Sequence, residues 1–242
     1  MRTSRCRRSR IACGLGAIAV AVVLAGAGAA APAPEARQEG KVDQQALIQE
    51  TQKMAKTPGA MTLVWWVPEE FWRVTFSQNP AITPAGAEEF LKVFRPYLIV
   101  AVLDGNVSPF GAVTYRPEAV VRETLRVVDK AGTAYAPLAD DQIGADTKNV
   151  LAMMKPGLTA ALGPMGQNLN FYVFPGKDAK DQPIAEAKKP GALVVKLGDR
   201  EFRWKLPLGS LLPPKTCPKC QETCSGAWSF CPWCGTALAK PV

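Results

Sequence analysis

Cys217-Pro218-Lys219-Cys220, ten further residues, then Cys231-Pro232-Trp233-Cys234-Gly235 form the stretch around which this chain is organised. A Cys-x-x-Cys pair makes a tight turn that aims two sulfurs at one point. A short hairpin between two such pairs brings the four sulfurs together. That donor set and spacing fit a tetrahedral zinc ion with Cys217, Cys220, Cys231 and Cys234 as ligands. The ion then replaces the apolar core that so short a segment cannot build for itself.

These residues resemble the short zinc-ribbon family. Its pattern runs Cys-Pro-x-Cys-Gly, a short hairpin, then Phe-Cys-x-x-Cys-Gly and a closing Leu. Phe230, Cys231, Cys234, Gly235 and Leu238 match as they stand, whereas Gln221 sits where the family prefers glycine and Cys224 is additional. The resemblance covers residues 217–238, implies one structural Zn2+ per chain, and leaves the rest of the chain unassigned. Two other readings of the cysteines stay open. Two disulfides could form after export. Alternatively, Cys231-Pro232-Trp233-Cys234 resembles the Cys-Pro-aromatic-Cys dithiol of glutaredoxins. Such a dithiol needs a helix behind it to stabilise the thiolate, and only eight residues follow Cys234. A fifth sulfur cannot join a closed tetrahedral site, so Cys224 reads as a bystander, and as the point where an intermolecular disulfide would form.

The opposite end of the chain sets the compartment. Residues 1–29 combine five arginines (Arg2, Arg5, Arg7, Arg8, Arg10) with an uncharged run rich in Ala, Gly and Val, ending in an Ala-x-Ala cut after Ala29. This pattern is that of a secretory signal peptide. An uncleaved membrane anchor is the competing reading, because the run is long enough to span a bilayer. Residues 30–41 form a Pro/Ala linker. The expectation is a periplasmic or secreted protein, with membrane attachment only if the leader is retained. The formal charge of +8 shrinks accordingly. Without the leader's five arginines, 24 basic residues face 21 acidic ones, a balance that gives no support for a nucleic-acid-binding face.

Residues 42–210 read as one β-rich domain. Val42–Lys56 has helical apolar spacing behind a possible Asp43 cap, and Met61–Val67 is a continuous apolar run fit for a buried strand. Helices are expected from Pro68 to about Gln78 and from Pro84 through Phe94. Tyr97–Leu103, Gly111–Tyr115, Glu123–Val128 and Thr133–Ala136 read as short strands, with turn signals at Asp104-Gly105-Asn106 and Lys130-Ala131-Gly132. Asp146–Met154 is helical until Pro156-Gly157 breaks it. Asn168–Phe174 alternates, and Ala192–Leu197 and Glu201–Leu206 form a hairpin. The class is α+β: an antiparallel β-sandwich-like domain with helical insertions, joined through residues 211–216 to the C-terminal zinc ribbon at 217–238.

The chain contains no histidine. That removes Ser-His and Cys-His nucleophiles, His-ligated catalytic zinc and His general bases. Trp65, Trp66, Phe71 and Trp72 read as packing between early helices and sheet, Met153, Met154 and Met165 as core filling, and Glu69-Glu70 as divergent neighbours on a helix. The expectation is a non-catalytic binding protein whose partner is another protein or an envelope component. The alternative is a periplasmic thiol–disulfide oxidoreductase working through the same Cys-x-x-Cys pairs.

Overall fold

A computed structural model describes residues 42–239 apart from residue 56. The leader and the Pro/Ala linker therefore lie outside the described residues. Within them, no helix is long and apolar enough to cross a membrane.

The chain opens with α1 (Gln44–Thr51), capped as expected by the Asp43 carboxylate, which accepts from the Ala46 N–H at 3.1 Å. The expected helix to Lys56 stops early, and the chain passes directly into β1 (Gln52–Met54). Thr51 fixes the junction. Its hydroxyl donates to the Leu47 carbonyl and accepts from Trp65 Nε1, while its own carbonyl accepts from Trp204 Nε1. The backbone beyond it then pairs with the edge of β2 (Ala60–Val67).

Helices α2 (Glu69–Ser77) and α3 (Pro84–Phe94) follow. Thr83 caps α3, and Pro84 occupies the first turn, where no N–H is needed. Then β3 (Tyr97–Val107) runs the full length of β2 along one edge. Its other edge is shared by β4 (Val113–Tyr115) and β7 (Asn170–Pro175). The second sheet has the order β6-β5-β8-β9, from β5 (Leu125–Val128), β6 (Ala134–Tyr135), β8 (Gly191–Leu197) and β9 (Arg200–Leu206). All pairings are antiparallel.

Side-chain alternation layers the domain. Trp66 packs edge-on against Trp204 of the second sheet at 6.4 Å, while Trp65, pointing to the opposite face, meets Phe71 of α2 at 5.0 Å. The five-stranded sheet is thus sandwiched between helices and the second sheet. This explains why Met61–Val67 is a solid apolar run, and why both Trp65 and Trp66 are buried.

Several expectations need correction, each for a physical reason. The Asp104-Gly105-Asn106 turn signal is overridden and β3 continues through it. Asp104 is buried opposite Thr62, where Arg200 of β9 grips its carboxylate with two bonds of 2.8 Å and Arg116 lies at 3.2 Å. Gly105 is there because a Cβ would press on the Thr114 carbonyl of β4 at 2.9 Å. The strand expected from Glu123 begins only at Leu125, because Glu118–Thr124 forms α4. Pro156 does not end the helix α5 (Ala145–Ala161). Ala152 and Pro156 are both exposed, so the missing bond falls on the solvent side. Residues Tyr172 to Phe174 are all buried, so β7 does not alternate apolar with polar. Met153 is 63% and Met165 39% exposed, which corrects their reading as core filling.

Candidate metal centre

The bridge from β9 to the four cysteines is clamped. Leu208 is buried in the main core, and both Glu50 oxygens accept from the bridge. Oε1 takes the Gly209 N–H at 2.7 Å, and Oε2 takes the Ser210 N–H and hydroxyl at 2.8 and 2.7 Å. Beyond it the chain turns back so closely that a Cβ on Gly209 would collide with Ser225, and one on Gly226 with the Pro213 carbonyl. The C-terminal lobe is therefore seated against the bridge and does not swing free.

The sequence reading placed one hairpin between the cysteine pairs. Instead, each pair sits at the tip of its own hairpin. In the first, β10 (Lys215–Thr216) pairs with β11 (Thr223–Cys224), and the Cys217 N–H donates to the Glu222 carbonyl. In the second, Phe230 bridges Ala237 and the Cys231 N–H donates to the Thr236 carbonyl. The tips are closed alike: Gln221 N–H bonds Cys217 O at 3.0 Å, and Gly235 N–H bonds Cys231 O at 2.9 Å.

That equivalence accounts for Gln221. It and Gly235 both adopt left-handed backbone, at φ 60° and 70°, so the turn wants glycine in both places. Gln221 carries the steric cost, offset in part by its side-chain amide donating to Pro218 O at 3.2 Å. Gln221→Gly is expected to stabilise the lobe by about 1 kcal/mol. Because lobe folding and ion binding are one process, that gain should appear as about five-fold tighter metal binding in a competitive chelator titration.

The sulfurs of Cys217, Cys220, Cys231 and Cys234 lie within 4.8 Å of one another, the first and third buried and the other two half-buried. Cys217–Cys234 and Cys220–Cys231 are separated by 3.5 and 3.6 Å. These separations are far longer than an S–S bond and close to the roughly 3.8 Å edge of a tetrahedron with metal–sulfur bonds of about 2.3 Å. The group can hold one metal ion. Its electrostatics call for a cation. The Cys234 thiol is lowered to about 6 by the hydroxyl and N–H of Thr236. Cys231, although burial pushes it up, is drawn below its ordinary value by the N–H groups of Cys234 and Trp233. Cys220 is pulled down by the Glu222 backbone, but burial and the neighbouring sulfurs of Cys217, Cys234 and Cys231 push it to about 12. Cys234 and Cys231 are thus drawn down while Cys220 is opposed by its neighbours, and a bound cation would relieve that mutual opposition.

Cys224 stands outside this set. It packs with Cys217, Cys231 and Leu238 as part of the lobe's own small core, only 2% exposed, and burial pushes its thiol up. That overturns its expected role as an intermolecular disulfide point, since a buried, protonated thiol is inert. Sequence reasoning missed the exposed aromatics beside the centre: Trp228, Phe230 and Trp233 are 41%, 64% and 64% accessible, with the two indoles 6.2 Å apart. Their signal was legible, as aromatics in an uncharged run, Ser225 to Ala239. A comparison with protein families, curated proteins and solved structures finds no match to this chain.

Proposed function

We propose that the chain is an exported, non-catalytic binding protein, periplasmic or secreted, whose C-terminal lobe is a zinc ribbon. One Zn2+ held by Cys217, Cys220, Cys231 and Cys234 supplies the folding free energy that the lobe's few apolar residues do not. The observation that carries the binding role is the display of Trp228, Phe230 and Trp233 on that braced lobe. Large aromatics held exposed on a rigid hairpin are costly to leave in water and are the commonest anchors of protein interfaces. The run from Ser225 to Ala239 contains no lysine or arginine, which favours a protein or envelope component over nucleic acid. The absence of histidine supports a role without catalysis.

A second reading, a thiol–disulfide oxidoreductase, draws support from the low Cys234 thiol. Metal analysis of freshly purified protein separates the two. One zinc per chain with no titratable thiolate at the four positions is the expected result. Metal-free protein that reduces a model disulfide would favour the oxidoreductase.

A further inference from the structure

The ends of β2, β3 and β7 leave a cavity of 390 Å³ beside α2. That falls within the roughly 300–1,000 Å³ range of small-molecule sites. Trp66, Trp72, Phe94 and Tyr97 are among its lining residues, the first three almost wholly buried, so Tyr97 is the ring with open surface there. Trp72 Nε1 is the one buried side-chain nitrogen or oxygen among the described residues that lacks a hydrogen-bond partner.

Seven charged residues border the cavity, and five of them are neutralised within the protein. Glu69 pairs with Arg73 and Arg95, and Arg95 also with Glu88. Lys177 pairs with Asp181, and Glu186 with Lys189. Glu70 and Lys188 remain, and among the described residues neither is in an ion pair. They are nonetheless close enough to interact. Burial pushes the Glu70 carboxyl above its ordinary value, and its own backbone N–H and then the Lys188 charge pull it part of the way back. One positive and one negative group therefore face a cavity without reaching each other.

We propose that this cavity binds a free α-amino acid with an apolar side chain, its ammonium on Glu70, its carboxylate on Lys188 and its side chain against Tyr97. The choice follows from what each ligand class leaves unmet. An organic cation would satisfy Glu70 but bring a like charge beside Lys188. An organic anion would pair with Lys188 and leave the partly desolvated carboxylate facing a second negative charge. A neutral ligand would remove water from both charges and pair neither. A zwitterion is the small ligand that answers both, and the Tyr97 ring adds apolar contact for its side chain. The site involves none of the four cysteines, so it stands or falls separately from the metal centre.

Titration calorimetry on the full, metal-loaded chain tests this with L-phenylalanine and L-leucine as probes. Phenethylamine lacks the carboxylate and hydrocinnamate lacks the ammonium, so the pair serves as comparators. Saturable one-to-one binding of at least one amino acid is expected. Each comparator should bind at least about ten-fold more weakly than phenylalanine, the usual cost of losing a hydrogen bond between charged groups. Glu70→Gln and Lys188→Gln should each weaken amino-acid binding by a similar factor while leaving the melting temperature and metal content unchanged. No saturable binding of either amino acid at millimolar concentration would overturn the proposal. So would comparators that bind as tightly as phenylalanine, or variants whose affinity is unaltered.

Discussion

Replacing Cys231 by serine is expected to unfold the C-terminal lobe and leave the two-sheet domain folded. The lobe's own core is Cys217, Cys224, Cys231 and Leu238, three of them cysteines, of which two belong to the four-sulfur group that could hold a metal ion. Nothing in so small a cluster can offset the conformational entropy of the residues it orders. On the zinc-ribbon reading proposed above, metal binding, on the order of 10 kcal/mol for a structural zinc site, does so. The main core is a separate cluster running from Leu47 to Leu208, with Trp72, Trp204, Tyr172 and Phe174 fully buried, and it contains no cysteine. Metal content should therefore fall to background in Cys231→Ser, while Cys224→Ser retains it. A chain ending at Pro213 should keep cooperative melting, because Leu208 and the Glu50 clamp lie before the cut. Loss of cooperativity in that shortened chain, followed by circular dichroism, would make the lobe part of the main core and defeat the separation.

Arg200→Ala is expected to destabilise the main domain by about 3–5 kcal/mol, the usual consequence of stripping a buried charge of its partner. Asp104 has a side chain only 2% accessible, and Arg200 supplies both of its shortest charged contacts. Arg116 is 46% accessible and cannot replace that two-point grip. For a domain of this size the loss corresponds to a melting temperature lower by roughly 10 °C. The pair also fixes an acid limb. Burial alone would raise the Asp104 carboxyl, but Arg200, Thr62 and Arg116 together hold it below its ordinary 3.8. A carboxylate depressed in the folded state contributes fully above its unfolded value, and the contribution disappears as pH falls through the folded one. Wild-type stability should therefore drop below about pH 4, and Asp104→Asn should flatten that drop while lowering stability at neutral pH. A melting series from pH 2 to 7 that is parallel for the two proteins would remove Asp104 from this role.

What could be read from the chain was what neighbours in sequence decide. Thr83-Pro84 starts a helix through its own hydroxyl and ring, the Met61–Val67 run declares its burial on both faces, and the cysteine spacing locates the four sulfurs that come together as a group able to hold a metal ion. The failures share the opposite property. Asp104-Gly105-Asn106 is a turn by local chemistry, and it is straightened by an arginine 96 residues later in the chain. The end of α1 is decided by Trp65 and Trp204, the second of them 153 residues away. Glu70 and Lys188 border the same cavity only because the strand ends assemble around it, so nothing near either residue marks it. Gln221 is the instructive middle case. Its mismatch to the glycine preference was visible, but only the backbone shows that it adopts the glycine conformation and carries the strain.

The Glu50 clamp has a consequence for how the chain must fold. Glu50 and Thr51 belong to the first helix, yet they are secured by Trp204, Gly209 and Ser210 at the far end of the domain. As the polypeptide emerges from the ribosome or a translocation pore, α1 comes out first and has nothing to close upon until almost the whole chain has followed. Its few local contacts cannot hold so short a helix in water. Contacts separated by some 160 residues are slow to form. Until the last strand arrives, the β2 edge that β1 covers stays open to other chains. The closure of α1 onto the end of the domain is therefore a late step in folding.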